Sequence, residues 1–502
     1  MLEKISELKF YAQELYHLES ILSLLFWDQA TYMPQAAALA RGKQRATLGG
    51  ILQQKKTDPR LGLLLSAAEQ EVRQNNLPYH SNEASLCRAM LRQYDIDRRV
   101  PADYINRMLE HSSKTEQAWL KAKEAQDFKV VEPFLSQTLA LSQEYAHFFS
   151  NWDHIADPLI ARSDYGWTVS QLKPLFTKLR QELLPLISTV LAKQNQRPPA
   201  CLNQCFPKKD QLSFGEEILA KLGFDFERGR QDLTAHPFAI KMAHEDVRIT
   251  TRVAEDHFSE ALFSSIHEMG HALYELGIDK TLEGTILHQG TSSGVHESQS
   301  RLWENIVGRS LPFWEYFYPL LQTYFPKELS TTSLPDFYQA INTVKRSLIR
   351  TNADELTYNL HVIIRFDLEV DLLTGALKIK DLPEAWRERY REDLGVLPEH
   401  DSQGVLQDIH WYFDLIGGQF QCYTLGNILS AQFFKTAAKQ LPNLSEQMRT
   451  GNFSNLKNWL DQNIYRHGSK FDGPELIRLA TGDEGLKLEP YLEYLSKKFG
   501  AH

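Results

Sequence analysis

The stretch Ser265-Ile266-His267-Glu268-Met269-Gly270-His271 decides how the rest of the chain is read. It holds the H-E-x-x-H pattern that zinc peptidases carry on a helix. A helix repeats every 3.6 residues, so His267 and His271 stand one turn apart on one face and can reach a single metal ion. Glu268 is rotated to an adjacent face, where a carboxylate can take a proton from an activated water. The flanking residues supply the helix. Phe258, Leu262, Ile266, Leu273 and Leu276 recur near helical spacing, and Gly277 stands where such a helix would stop.

Two imidazoles do not complete a catalytic zinc site, because three protein ligands plus water are usual. Downstream, Gly294-Val295-His296-Glu297-Ser298-Gln299-Ser300-Arg301 opens a second apolar-periodic helix containing Leu302, Trp303 and Ile306. A helix–loop–helix would return it antiparallel to the first, and Glu297 is the expected third ligand. Spacing alone also allows an exposed helix-face carboxylate at Glu297. The neighbouring His296 would point elsewhere, toward the ligands from behind or toward substrate.

Outward from this core, the dominant period is helical. Residues 3–26, 60–76, 83–95, 101–126, 132–152, 169–194, 254–277, 296–323, 334–375, 425–440 and 473–498 read as helices. His244 to Val253 alternates, with Val247, Ile249 and Thr251 on one face of a strand, and Leu287 to Val295 is expected to extend beside it. The longest linker candidate, 195–212, is short. The expectation is a mainly α, single catalytic unit over residues 1–502 with a small sheet.

Composition narrows the class. The chain has 502 residues, 42% of them hydrophobic, and a net charge of −9 from 55 basic and 64 acidic side chains. A mixed, mildly acidic surface argues against nucleic-acid binding. No apolar run reaches the roughly 18 residues needed to span a bilayer. The N-terminus lacks the basic stretch and apolar core of a secretory leader. Four cysteines, Cys87, Cys201, Cys205 and Cys422, are too sparse for a disulfide framework, and Cys201 with Cys205 has no second Cys/His pair to complete a zinc ribbon. A cytoplasmic protein with reduced thiols is expected.

Further motifs carry a resemblance. They are His236-Pro237-Phe238, Asp246-Val247-Arg248-Ile249-Thr250, the HEMGH run, His296-Glu297-Ser298-Gln299, Ile349-Arg350-Thr351-Asn352-Ala353-Asp354 and Gly404 to Trp411 (GVLQDIHW). In this order they resemble the carboxypeptidase Taq family of metallocarboxypeptidases, and Trp27-Asp28 with Met33-Pro34 is similar to that family's N-terminal segment. The resemblance runs from about residue 20 to the C-terminus. It implies a two-lobed helical fold with a deep groove, similar to thimet oligopeptidase, neurolysin and angiotensin-converting enzyme. It implies a homodimer that removes single residues from peptide C-termini with broad tolerance.

Within that resemblance each residue acquires an expected role. Zn2+ on His267, His271 and Glu297 would activate water, and Co2+ or Mn2+ could also serve such a site. Glu268 would be the general base. His410 and Tyr423 are candidate donors to the oxyanion. Arg350 is the first candidate to bind the substrate carboxylate, with a helical ion pair to Asp354 as its alternative role. Arg248 is the second, with a pair to Asp246 as its alternative. Asp354 and Asp408 are expected to steady the metal-binding histidines. One departure stands out: relatives read G-Y-F-P-x-Y where this chain has Gly418-Gln419-Phe420-Gln421-Cys422-Tyr423. Two rival readings remain. One is an oligopeptidase or dipeptidyl carboxypeptidase with the same metal site. The other is a helical scaffold with structural zinc, although such sites are usually closed by four protein ligands.

Overall fold

The computed structural model describes residues 2–194 and 199–500. The architecture is mainly helical with a three-stranded sheet. Five helices matter for the site: α1 (Glu3–Thr31), α2 (Phe258–Leu276), α3 (Ser293–Arg301), α4 (Tyr358–Thr374) and α5 (Gln421–Gln440). The strands are β1 (Gly229–Leu233), β2 (Ala239–Ala243) and β3 (Asp246–Thr251). Their spatial order is β1-β3-β2, with β1 parallel and β2 antiparallel to β3.

The sheet lies between α1 and α2. As its alternation predicts, β3 buries Val247, Ile249 and Thr251. Thr251 Oγ1 donates to the Ala261 carbonyl of α2, and Gln231 Nε2 donates to Ser265 Oγ. The register places Arg230, Arg248 and Ile240 side by side. The guanidinium of Arg248 lies 4.2 Å from the Trp27 ring centroid of α1, and that of Arg230 lies 5.4 Å from it. Tyr32 closes this contact by donating to Asp232.

Two glycines set how closely the central helices approach. A Cβ on Gly270 of α2 would stand 2.6 Å from the Gln299 carbonyl oxygen and Ser300 Cα of α3. A Cβ on Gly426 of α5 would stand 2.5 Å from Glu297 Cγ. Any side chain at either place would push α3 away, so these glycines seat α3 between α2 and α5.

Several expected elements differ. The single helix expected over 334–375 is a helix at Leu334–Ile341, a turn at Arg350–Asn352 and then α4. Between them, backbone groups find side-chain partners instead of helical ones: Asp354 accepts from Lys345, Leu356 and Thr357 nitrogens, and Gln407 Oε1 accepts from Arg350 N. The helix expected over 473–498 breaks at Gly482, whose φ of 75° ends Gly473–Thr481 before Glu489–Phe499 begins. Leu287 to Val295 adds no strand to the sheet. It turns through Gly290 and Thr291 into α3, which Ser292 caps by accepting from Val295 N. Of the linker candidate 195–212, residues 195–198 lie outside the described residues; the remainder is ordered, with Cys201 buried and a helix at Lys208–Leu222. Cys87 and Cys422 are also buried, Cys205 is exposed, and none of the four forms a disulfide.

Candidate metal centre

Helix α2 is buried on nearly every side, which is unusual for a helix with so many polar residues. Its less buried positions include Glu260, Ser264, His267, His271 and Glu275, every third or fourth residue. They form one polar stripe along the helix. The third ligand candidate arrives from α3. His267 Nε2 lies 3.6 Å and His271 Nε2 3.4 Å from Glu297 Oε2. These separations match donors arranged around one ion at about 2 Å from each. Two imidazoles and one carboxylate, all on packed helices, fit a divalent metal.

Each candidate ligand is held from behind. His267 Nδ1 lies 2.9 Å from Glu304 Oε2, and Arg301 bridges the two carboxylates, reaching Glu297 Oε1 at 2.7 Å and Glu304 Oε2 at 3.3 Å. Glu304 sits on a π-helical turn, Leu302–Val307, that continues α3. Burial opposes its charge, yet Arg301 and His267 win and bring Glu304 down to about 2. Glu297 likewise falls well below the usual carboxylate range, burial being outweighed by Arg301 and His267. His271 Nδ1 faces His296 Nδ1 at 2.6 Å, and His296 Nε2 lies 2.8 Å from Glu275 Oε1. Glu268, beside the ligands in sequence, is buried and makes no hydrogen bond among the described residues. Burial pushes its carboxyl up to about 7.

A second charged cluster lies beyond Tyr358. Arg350 Nε and Nη2 reach Asp408, the latter at 2.8 Å, and Nη1 reaches the Tyr358 hydroxyl at 2.8 Å. Arg365 binds the other oxygen of Asp408 at 2.6 Å. His410 Nε2 and the Tyr423 hydroxyl are 3.1 Å apart, while His410 Nδ1 is buried with no partner among the described residues. Burial and the neighbouring Arg350 bring His410 down to about 4, so its ring is neutral at pH 7. Tyr358 joins the two clusters, because the Arg301 guanidinium lies 4.5 Å from its ring centroid.

These contacts revise the expected pairings. Arg350 pairs with Asp408, not with Asp354, which is occupied by backbone nitrogens and Thr357. Neither aspartate steadies a metal-side histidine; Glu304 and His296 occupy those places. Arg248 binds Asp246 through Nε at 2.8 Å and Nη2 at 2.7 Å. The two departing glutamines brace backbone. Gln419 donates to the Leu415 carbonyl at 2.7 Å, and Gln421 donates to Asp164, which accepts from Gly294 N at the start of α3.

The comparisons with known proteins agree over the whole length. The profile described as carboxypeptidase Taq (M32) metallopeptidase matches residues 7–499. The chain belongs to that family. It is 39% identical to thermostable carboxypeptidase 1 of Thermus thermophilus, over 98% of this chain and 97% of that one. It is 34% identical to carboxypeptidase 1 of Bacillus subtilis, over 96% and 95%. Its structure is similar to that of the M32 carboxypeptidase from Deinococcus radiodurans R1, with a TM-score of 0.96, 43% identity and 99% of each chain covered. The Pyrococcus furiosus carboxypeptidase structure gives a TM-score of 0.95 at 32% identity, with 99% of each chain covered. The protein is therefore a metal-dependent carboxypeptidase, a peptide hydrolase using a divalent metal.

For this M32 carboxypeptidase, sequence reading passed over Arg301, Glu304, Tyr358 and Asp164. Arg301 and Glu304 had a signal: they fall four and seven residues after Glu297, hence on its helix face. Tyr358 and Asp164 had none, because only the packing of distant segments brings them to the site.

Proposed function

We propose that the enzyme removes single residues from the free C-termini of peptides, with broad side-chain tolerance, using Zn2+ held by His267, His271 and Glu297. The observation that carries this reading is the convergence of those three donors beside Glu268, a buried carboxylate with no side-chain hydrogen bond among the described residues. A divalent ion bound there supplies a Lewis acid that polarises the scissile carbonyl and makes water acidic. Glu268 takes the proton of the attacking water and passes it to the departing amine; its placement near 7 suits both directions of transfer. Tyr423, hydrogen-bonded to the neutral His410, donates to the developing oxyanion.

Arg350 is the receptor for the substrate carboxylate. A guanidinium has five N–H groups. Asp408 and Tyr358 engage three in Arg350, leaving one on each terminal nitrogen, the pair that a carboxylate accepts side by side. Asp408 fixes the plane of the fork and so reduces the entropy lost on binding. Arg248, anchored by Asp246 and covered by Trp27, contributes to the wall of the groove. His296 stands behind His271. A cavity of about 900 Å³, lined in part by Arg162, Tyr165, Gln289 and Thr291, opens beside the loop before α3. The resemblance further implies a cytoplasmic homodimer acting as one catalytic unit, and sedimentation of the purified enzyme tests its mass. No helix among the described residues is long and apolar enough to cross a membrane.

Mass-spectrometric product ladders from a mixed peptide pool, with and without chelator, test the reading. Stepwise single-residue loss from free-acid peptides, absent from C-terminal amides and abolished by chelator, is expected. Release of dipeptides, or internal cleavage of amides at equal rate, would overturn it in favour of the oligopeptidase class.

A further inference from the structure

We propose that Lys241, Glu275 and His296 form a positioning relay that sets the tautomer and ring plane of His271 and ties that ligand to the sheet. The inference rests on the metal-centre reading above. The two histidines of the centre are held in different ways. His267 is held directly by a carboxylate, Glu304, at 2.9 Å. His271 is held by another imidazole, so its hydrogen bond has no direction until something fixes the state of His296.

Glu275 fixes it. Its Oε1 lies 2.8 Å from His296 Nε2 and 3.0 Å from Gly290 N, and Lys241 Nζ donates to its Oε2. Burial opposes the charge of Glu275, but the Lys241 ammonium at its Oε2 outweighs it and holds the carboxyl well below the usual range. An ionised carboxylate only accepts. His296 Nε2 therefore carries the hydrogen, and in a neutral ring Nδ1 is then the acceptor. At 2.6 Å from it, His271 Nδ1 must donate. That leaves the lone pair of His271 on Nε2, the atom that faces Glu297. The opposite tautomer would put a hydrogen where a metal must bind.

The surroundings hold the relay in one place. A Cβ on Gly290 would stand 2.5 Å from His296 Cδ2, so only glycine lets the ring lie there. The Tyr274 hydroxyl accepts from Thr291 N at 3.2 Å, fastening the same loop. Lys241 also donates to the His288 carbonyl, and it sits on β2 next to Ile240, the register partner of Arg248. The strand that carries Lys241 is thus hydrogen-bonded to the strand that carries the groove arginine. His271 and the sheet wall are joined by three side chains, His296, Glu275 and Lys241.

The test measures the Zn2+ affinity of the full-length enzyme by chelator competition, with thermal melting of the zinc-free protein as the control for folding. His296→Phe keeps a flat ring but removes both hydrogen bonds, and zinc affinity should fall roughly 10- to 100-fold. His296→Asn places an amide oxygen near the position of Nδ1 and should recover most of that loss. Glu275→Gln and Lys241→Met should each weaken zinc less than His296→Phe does. Glu275→Gln added to His296→Phe should have no further effect, because the relay is already cut. Unchanged zinc affinity in His296→Phe, or additive loss in the double variant, overturns the proposal. If His296→Phe does not fold, unchanged zinc affinity in both Glu275→Gln and Lys241→Met overturns it equally. Failure of the metal-centre reading looks different: His267→Ala would then bind zinc as the unaltered enzyme does.

Discussion

The metal-side cluster and the arginine cluster are built from the same material, buried charges, and they are finished differently. Around Asp408 the charges turn inward on one another: two arginines share one carboxylate, and Tyr358 takes a further N–H. Around Glu297 they do not. The donors His267 Nε2, His271 Nε2 and Glu297 Oε2 all turn toward one point, while Glu304, Arg301 and His296 occupy their far sides. Groups that turn inward on a shared partner lock a shape, and donors that face one another across a gap leave room for a cation. The first therefore should act as a frame and the second as a reagent, and the two should respond differently to substitution.

The largest effect should come from opening the metal side. Glu297→Ala removes a proposed ligand and leaves Arg301 with one carboxylate instead of two, so metal should be lost and activity with it. Elemental analysis after dialysis checks this, and full metal retention would point to another third ligand. Glu268→Gln separates metal from chemistry. Metal should stay stoichiometric while kcat falls ~10²- to 10⁴-fold, the usual range for loss of a general base. Wild-type turnover in a metal-replete variant would remove Glu268 from the mechanism.

Arg350→Ala probes whether the frame also binds substrate. Asp408 keeps Arg365, so folding and metal content should survive. Loss of a charge-assisted bond of about 1.5–3 kcal/mol corresponds to roughly 10- to 200-fold in kcat/KM on free-acid peptides. The penalty should nearly vanish on C-terminal amides. Equal slowing of both substrates would make Arg350 purely structural and leave Arg248 as the receptor.

The smallest effect should be on stability. Glu369 of α4 accepts from Trp411 Nε1 at 2.7 Å, and burial raises its carboxyl to about 7. Arg365, one turn away, is committed to Asp408 instead. The folded state thus binds the proton more tightly than an unfolded chain, in which the carboxyl titrates near 4.5. Its stabilising contribution is complete below that value and disappears as pH rises through 7, by up to ~3 kcal/mol. Glu369→Gln should flatten the decline in Tm between pH 5 and pH 8. An identical pH slope in the variant would mean that Glu369 is ionised in the folded protein.

How much was legible depended on distance along the chain. The period of 3.6 residues fixed α2, the shared face of His267 and His271, and the alternation of β3, because those relations are local and every neighbour agrees with them. The placement of Glu297 was half legible. Its helix could be read, but its approach to the histidines needs Gly270 and Gly426, and a glycine announces neither what it touches nor how closely. The break between 341 and 358 was not legible, since the side chains that replace its helical hydrogen bonds include Gln407, far along the chain.

By itself, then, the sequence determined a helix presenting two imidazoles with a carboxylate beside them, and its ordered motifs determined the family. Only the tertiary structure decided which groups stand behind those ligands and which pair with the arginines. Arg350 could be read as the i,i+4 partner of Asp354, yet it meets Asp408 across 58 residues. The physical reason is that a buried guanidinium takes the carboxylate with which packing leaves it in bidentate reach, and packing is a property of the whole chain.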